Sequence, residues 1–220
     1  MGDLEVVIGP ETLRLLPERA LFWPRVRTLF IADLHVGKAA AFRASAVPIP
    51  EGSMADDLAR LTRAVERTQT KTLVILGDLL HAPAGRQPAM MDAVSAWRAE
   101  HPTLRIFLVR GNHDLAAGDP PAEWRIFPVN GPTIGPYFVL NHTPITPDKG
   151  YALAGHLHPS VVLRGKGQQR LKLPCFWLMP RCAVLPAFGS FTGTSAVEPL
   201  SGDRVFAVTP KRIVALPRRD

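Results

Sequence analysis

An α/β sandwich of two sheets, with helices on the outside of at least the first, is the architecture this sequence predicts. Three observations carry it. Short apolar runs alternate with amphipathic segments in the first half, only strand-like runs follow from Tyr137 onward, and polar motifs fall at the ends of the apolar runs. Strands alternating with helices build βαβ units and a parallel sheet. In such sheets a ligand site lies at the carboxyl ends of the strands.

Residues 28–33 (TLFIAD) and 72–78 (TLVILGD) are apolar runs of strand length that each end in aspartate. Residues 105–110 (RIFLVR) lead directly into Gly111-Asn112-His113-Asp114. Between the first two runs Met54, Leu58, Leu61 and Val65 keep helical spacing, and Ser53 can cap that helix. Between the second and third, Pro88 suits a first helical turn, and Met90, Val94 and Trp97 repeat the pattern. The later runs YFVLNH, YALAGH, VVLRG, RLKLPCFWL, RCAVLPAFG, RVFAVT and RIVALP read as strands of the second sheet. No repeat or linker divides the chain, so residues 1–220 are expected to form a single domain large enough to bury a core without disulfides.

Lys and Arg total 26 against 19 Asp and Glu, a formal net charge of +7. That balance suits a polyanionic partner such as nucleic acid, and equally a basic protein kept soluble by its charge. The two cysteines, Cys175 and Cys182, lie in apolar runs and read as buried free thiols of a reducing compartment. The acidic start Met1-Gly2-Asp3-Leu4-Glu5 is unlike a secretory leader, and no apolar run reaches the length of a membrane span. The expected location is cytoplasmic, with no membrane association.

The chemistry is carried by clusters that each follow an apolar run: Asp33-Leu34-His35, Gly77-Asp78, Gly111-Asn112-His113-Asp114, His142, and Gly155-His156-Leu157-His158. Alone, each has a plain structural reading. An Asp-x-His is more often a turn, a Gly-Asp a strand end, and a single histidine a hydrogen-bonded core or surface residue. Together, Asp33, His35, Asp78, Asn112, His142, His156 and His158 supply enough imidazole and carboxylate donors for two divalent ions, provided Asp78 bridges them. In the Asp-x-His and His-x-His pairs, residues two apart on an extended chain point the same way. Two ions roughly 3.5–4 Å apart can hold a bridging hydroxide and clamp phosphoryl oxygens. In-line attack on phosphorus then needs a proton donor for the leaving alkoxide, and His113 is the candidate, with Asp114 in the same catalytic motif.

At these positions the chain resembles the calcineurin-like metallophosphoesterase superfamily, whose ordered pattern is met at every ligand position. The resemblance implies a four-layer α/β/β/α sandwich of two mixed sheets. It implies one ion on Asp33, His35, Asp78 and His158 and a second on Asp78, Asn112, His142 and His156. Mn is the expected metal, with Fe or Zn as alternatives. Gly77-Asp78-Leu79-Leu80-His81 lacks the second Asp and the Arg of the phosphoprotein phosphatases. It is similar instead to the motif of the nuclease subunit in double-strand-break repair complexes, which implies that His81 assists His113 or contacts phosphate. The plain alternative is that His81 closes a strand end.

The flanks Asp33-Leu34-His35-Val36-Gly37-Lys38 with Phe42-Arg43, residues 173–178 (LPCFWL) and residues 185–193 (LPAFGSFTG) resemble the bacterial ligase-associated DNA damage response endonucleases. That resemblance implies a phosphodiesterase acting on DNA, working with a ligase and a helicase; related nucleases often dimerise, but no segment here reads clearly as an interface. The last two stretches read as buried strands kept for packing. Lys38 and Arg43, after the first motif, and Arg164 and Lys166, in a basic hairpin after the last, are candidate phosphate contacts; their plain reading is a solvated basic surface. Two other functions compete: a phosphatase or cyclic-nucleotide phosphodiesterase acting on a small molecule at the same site, and a non-catalytic scaffold of the same fold.

Overall fold

The computed structural model describes residues 2–44, 53–131, 133–134, 137–165 and 169–217. The first sheet has seven strands in chain order: β1 (Leu4–Ile8), β2 (Glu11–Leu16), β3 (Ala20–Trp23), β4 (Thr28–Ile31), β5 (Thr72–Ile75), β6 (Arg105–Val109) and β7 (Ile126–Val129). β1 to β4 are antiparallel, and β4 to β7 run parallel, as the alternation of apolar runs and helices predicts. The helices are α1 (Lys38–Ala44), α2 (Ser53–Thr68), α3 (Pro88–Glu100) and α4 (Asn112–Ala117). Pro88 occupies the first turn of α3, where its missing N–H costs nothing.

The second sheet contains β8 (Thr133–Ile134), β9 (Phe138–Leu140), β10 (Tyr151–Ala154), β11 (Pro159–Arg164), β12 (Arg170–Leu178), β13 (Cys182–Val184), β14 (Ser195–Ala196), β15 (Arg204–Val208) and β16 (Ile213–Ala215). Its path is β14-β11-β12-β13-β10-β9-β8, with β15 added on β12 and β16 on β15. It too is mixed: β10 is parallel to β9 and β13, while β12 is antiparallel to β11, β13 and β15.

Period-two alternation sorts the side chains of the parallel strands into two layers. Leu29, Ile31, Leu73, Ile75, Ile106 and Leu108 face the helices, where Leu58, Leu61, Val65, Met90, Val94 and Trp97 cover them. Phe30, Ala32, Val74, Leu76 and Val109 face the second sheet and pack on Phe138, Leu140, Leu153, Phe176 and Leu185. Each fully buried Leu or Phe contributes about 1.5–3 kcal/mol. The α/β class and the two mixed sheets are as expected. Among the described residues no helix covers the outer face of the second sheet. Small apolar clusters around Cys182 and Val184, and around Cys175 and Ala207, lie there instead.

Residues 185–189 are not a further strand of the second sheet. They cross to the first sheet, where Ala187 forms a single parallel bridge to Ala32 and Gly189 N–H donates to Asp33 O at 3.1 Å. No described helix is long and apolar enough to cross a membrane.

Candidate active site

The loops leaving β4, β5, β6, β9 and β10 meet at one end of the sandwich. Asp33 N–H donates to Gly77 O at 3.1 Å and His35 N–H to Asp78 O at 2.9 Å, so the first two loops run side by side. His156 N–H donates to both oxygens of the Asp33 carboxylate at 3.1 and 2.9 Å, tying the β10 loop to the β4 loop. The expected extended geometry of the ligand pairs is corrected. Asp33 and His35 have φ of 55° and 50°, His156 and His158 72° and 47°, and Asp78 53°. The pairs converge through left-handed residues rather than through a strand's pleat. Non-glycine residues held there cost about 1–3 kcal/mol each and concentrate at functional sites. Two glycines make room for the ligands. A Cβ on Gly77 would lie 2.0 Å from His142 Nδ1, and one on Gly111 would lie 2.2 Å from Asp78 Oδ1.

The seven proposed ligands fall into two groups joined by one carboxylate. His35 Nε2 and His158 Nε2 are 3.3 Å apart, and Asp33 Oδ1 is 3.6 Å from His158 Nε2. His142 Nε2 lies 3.1 Å from Asn112 Oδ1 and 3.0 Å from His156 Nδ1. Asp78 Oδ2 is 3.7 Å from His35 Nε2 and 3.4 Å from His142 Nε2, so a single oxygen faces both groups. Two donors each about 2.1 Å from a common ion are about 3.0–3.4 Å apart at right-angled to tetrahedral angles, close to the 3.0–3.7 Å found here.

The tautomers agree with that reading. His142 Nδ1 lies 2.9 Å from Leu76 O and His158 Nδ1 lies 2.9 Å from Gly193 O. A carbonyl only accepts, so each Nδ1 carries the proton and each Nε2 presents a lone pair to the cluster. Bare lone pairs and carboxylate oxygens turned on one another repel unless a cation lies among them. The residues therefore fit a pair of divalent ions.

Burial and charge divide the ionisable groups. His35 is pushed down to about 3, first by burial, with Asp78 opposing and Lys38, His158 and His113 adding to the shift. Burial likewise pushes His81 down to about 4, helped by His113 and Lys38. For His142, burial disfavours the proton, but the Asp78 hydrogen bond, the Leu76 carbonyl and the charges of Asp78 and Asp33 outweigh it and raise its pKa. For Asp78, burial is outweighed by His142, the His113 N–H and His35, so its pKa falls.

His113 borders the cluster with its chemistry aimed inward. Its Nδ1–H donates to His81 O at 2.7 Å, leaving Nε2 as the exchangeable nitrogen, and its backbone N–H donates to Asp78 Oδ1 at 3.0 Å. Its ring stacks on His81 at 4.7 Å and meets His35 edge-on at 4.9 Å. His81 Nδ1 in turn lies 3.3 Å from His35 Nδ1, the ring nitrogen directed away from His158. Asp114 does not reach the cluster. It is buried, accepts from Leu80 N–H at 2.9 Å and Gly111 N–H at 3.0 Å, and joins the loops that carry Asp78 and Asn112. Burial is the main cause of its raised pKa. It is a positioning residue.

Lys38 opens α1 beside the cluster, half-buried, with its pKa lowered by desolvation against the pull of Asp78 and Asp33. The side chain of Arg43 and the whole of Lys166 lie outside the described residues. Arg164 is at the far end of β11, paired across the hairpin with Arg170. It is six residues from His158, which at about 3.3 Å per residue puts it about 20 Å away. The hairpin therefore leads away from the ligands rather than lying beside them. Sequence reasoning missed the carbonyl of Gly193, which fixes the His158 tautomer from within a stretch read as packing. Its nearest signal was the Phe-Thr-Gly motif at 191–193. It also missed Asp57, a buried carboxylate on α2 that holds Ser190 through its N–H (2.9 Å) and hydroxyl (2.5 Å).

Comparison with known proteins is consistent with this geometry. The family model described as calcineurin-like phosphoesterase matches residues 26–174. The crystal structure of Pseudomonas putida nuclease MPE is 40% identical, with 97% of this chain and 100% of that chain covered and a TM-score of 0.85. The phosphoesterase Yfce from E. coli is 16% identical, covering 86% and 96% of the two chains at a TM-score of 0.43. A predicted phosphoesterase from Streptococcus pneumoniae is 14% identical, covering 87% and 97% at 0.34. Neither of these two likenesses bears on the site. No curated protein matches the chain significantly.

Proposed function

This chain belongs to the calcineurin-like phosphoesterase family and is a metal-dependent phosphoester hydrolase, and from that premise we propose that it is a dinuclear phosphodiesterase whose substrate is DNA. The observation that carries the two-ion reading is Asp78 Oδ2, which faces His35 Nε2 and His142 Nε2 at once. Asp33, His35, Asp78 and His158 would hold one ion and Asp78, Asn112, His142 and His156 the other. The donor set of imidazole and carboxylate suits Mn, with Fe or Zn as alternatives. When bound, such ions supply Lewis acidity at the phosphoryl oxygens and an activated water at neutral pH.

The chain's own residues do the rest. As the new oxygen–phosphorus bond forms, the bond to the leaving ester oxygen breaks, and that oxygen needs a proton. His113 supplies it from Nε2, because Nδ1–H is committed to the His81 carbonyl. The His113 N–H holds Asp78 Oδ1, so Oδ2 stays turned toward both ligand groups. Lys38 offers a positive charge at the rim to an incoming phosphate.

A DNA substrate is supported by the 40% identity across nearly the whole chain to a protein described as a nuclease, together with the +7 net charge. Work beside a ligase and a helicase in repair belongs to the same proposal and rests on the flanking motifs. A reducing cytoplasmic setting is consistent with the two buried free thiols.

The test is metal-free protein reloaded with Mn and assayed on bis-p-nitrophenyl phosphate and on end-labelled single-stranded DNA. Both should be cleaved, DNA cleavage should fall with added salt, and Asp78→Asn should abolish both activities and weaken binding of both ions. His113→Ala should keep the metals and lose about 10²–10⁴-fold in diester turnover. Cleavage of the small ester without any cutting of DNA would move the substrate to the small-molecule class. Full metal occupancy in Asp78→Asn would refute the bridge.

A further inference from the structure

The structure places a basic groove directly behind the segment that orients the ligands, and we propose that it seats the sugar-phosphate backbone of single-stranded DNA flanking the scissile bond. The proposal rests on the nuclease reading and deepens it. The groove encloses about 450 Å³, and Arg19, Arg60, Arg63 and Lys172 line it. Its one acidic wall residue, Glu18, is engaged by Arg67, with Nε–Oε1 at 2.7 Å. Among the described residues Arg63 and Lys172 have no acidic partner. The Lys172 ammonium donates to the Thr194 carbonyl at 2.8 Å.

Continuity with the active site comes from residues 187–194, which form a shared wall. On one side Gly189 N–H donates to Asp33 O at 3.1 Å and Gly193 O accepts from His158 Nδ1 at 2.9 Å. On the other, Arg60 donates to Ser190 Oγ at 3.1 Å and to the Phe188 carbonyl, Arg19 donates to Gly189 O at 3.4 Å, and Lys172 holds Thr194. The same eight residues thus touch both the ligand-bearing loops and the groove cations.

Arg60 is already paired with the Asp57 carboxylate at 2.7 Å, and Arg19 lies beside that pair. Arg19 is partly desolvated and repelled by Arg60, and both effects lower its pKa against the attraction of Asp57. A phosphate beside Arg19 would offset that repulsion, and an arginine fork suits phosphate oxygens. Beyond Arg63 the neighbouring cavity brings in Asp3 and Glu66, so the positive track ends there and spans only a few phosphates. A small ester bound at the ligand cluster does not extend this far; a polymer does.

The experiment uses metal-free full-length protein and a fluorescently labelled single-stranded oligonucleotide, with anisotropy read over a range of salt. Wild type, the double variant Arg63→Ala/Lys172→Ala and a charge control, Arg14→Ala on the exposed face of β2, are compared; thermal unfolding confirms that each is folded. The double variant is expected to bind about tenfold more weakly. Its log–log salt slope should be shallower by about 1.4, since each lost phosphate contact on a single strand removes about 0.7. Arg14→Ala should bind as wild type. Equal binding by the double variant, or an equal loss in Arg14→Ala, overturns the groove while leaving the nuclease reading intact. Wild-type protein that turns over bis-p-nitrophenyl phosphate but neither binds nor cuts DNA overturns the nuclease reading itself, and the groove with it.

Discussion

His142 shows how a single ring nitrogen sets the site's dependence on pH. Its Nδ1–H is fixed by Leu76 O, so a proton and a metal ion compete for the same Nε2 lone pair. The carboxylates of Asp78 and Asp33 strengthen its hold on the proton, raising its pKa above the ordinary 6.5. At pH 6.5 the residue is therefore more than half protonated, and metal loading must release that proton. Metal affinity should fall as pH drops through the raised pKa, because a raised pKa favours the protonated, non-ligating form. His35, pushed down to about 3, is already neutral there and releases none. Calorimetric titration of Mn in two buffers of different ionisation heat reads the proton count. Zero release at pH 6.5 would remove His142 from the ligand set or its proton from Nε2.

At the scale of elements, the site depends on strands that stop in strained turns. β4 and β5 are short and fully buried, and each gives way at its carboxyl end to a loop whose ligand residues sit at positive φ. Backbone bonds between the two loops and the carboxylate of Asp114 hold those turns against their strain. Gly77, at φ 85°, lets the β5 loop pass beneath His142, where a Cβ would lie only 2.0 Å from Nδ1 and clash. Gly77→Ala is therefore expected to displace His142, to destabilise the fold by more than about 1 kcal/mol, and to bind about one ion rather than the proposed two. Metal analysis after gel filtration measures this; full loading with both ions would show that the β5 loop can shift without disturbing the ligands.

Over the whole molecule, the thiols report on how tightly the second sheet is closed. Burial raises Cys175 from the ordinary 9.0 to about 12 and Cys182 to about 11. Ionisation alone should slow their reaction with a disulfide reagent by about 10²–10³-fold in the folded protein, because the thiolate is the nucleophile. Both should react together and rapidly once denaturant opens the fold. One fast thiol in native buffer would mean that the outer face of the second sheet opens locally.

The α/β class, the parallel half of the first sheet, the helical faces of α2 and α3, and the motifs that gather at one end of the sandwich were legible in the chain. Each depends on local periodicity, or on residue types that only metal chemistry brings together in that order. The left-handed turns at Asp33, His35, Asp78, His156 and His158 were not, because a non-glycine residue enters that region only when distant hydrogen bonds hold it there. Nor was the part played by Gly193. A backbone carbonyl has no sequence signature, and its contact with His158 bridges 35 residues. The basic hairpin at Arg164 looked close to the site because it follows His158 in the chain, yet strand geometry carries it away. Arg63 and Lys172, far apart in sequence, come to line a single groove instead. The sequence by itself determined the fold class and the candidate set of imidazole and carboxylate donors. Only the tertiary structure decided which charges adjoin the site, because that adjacency arises where two sheets and a helix are packed together.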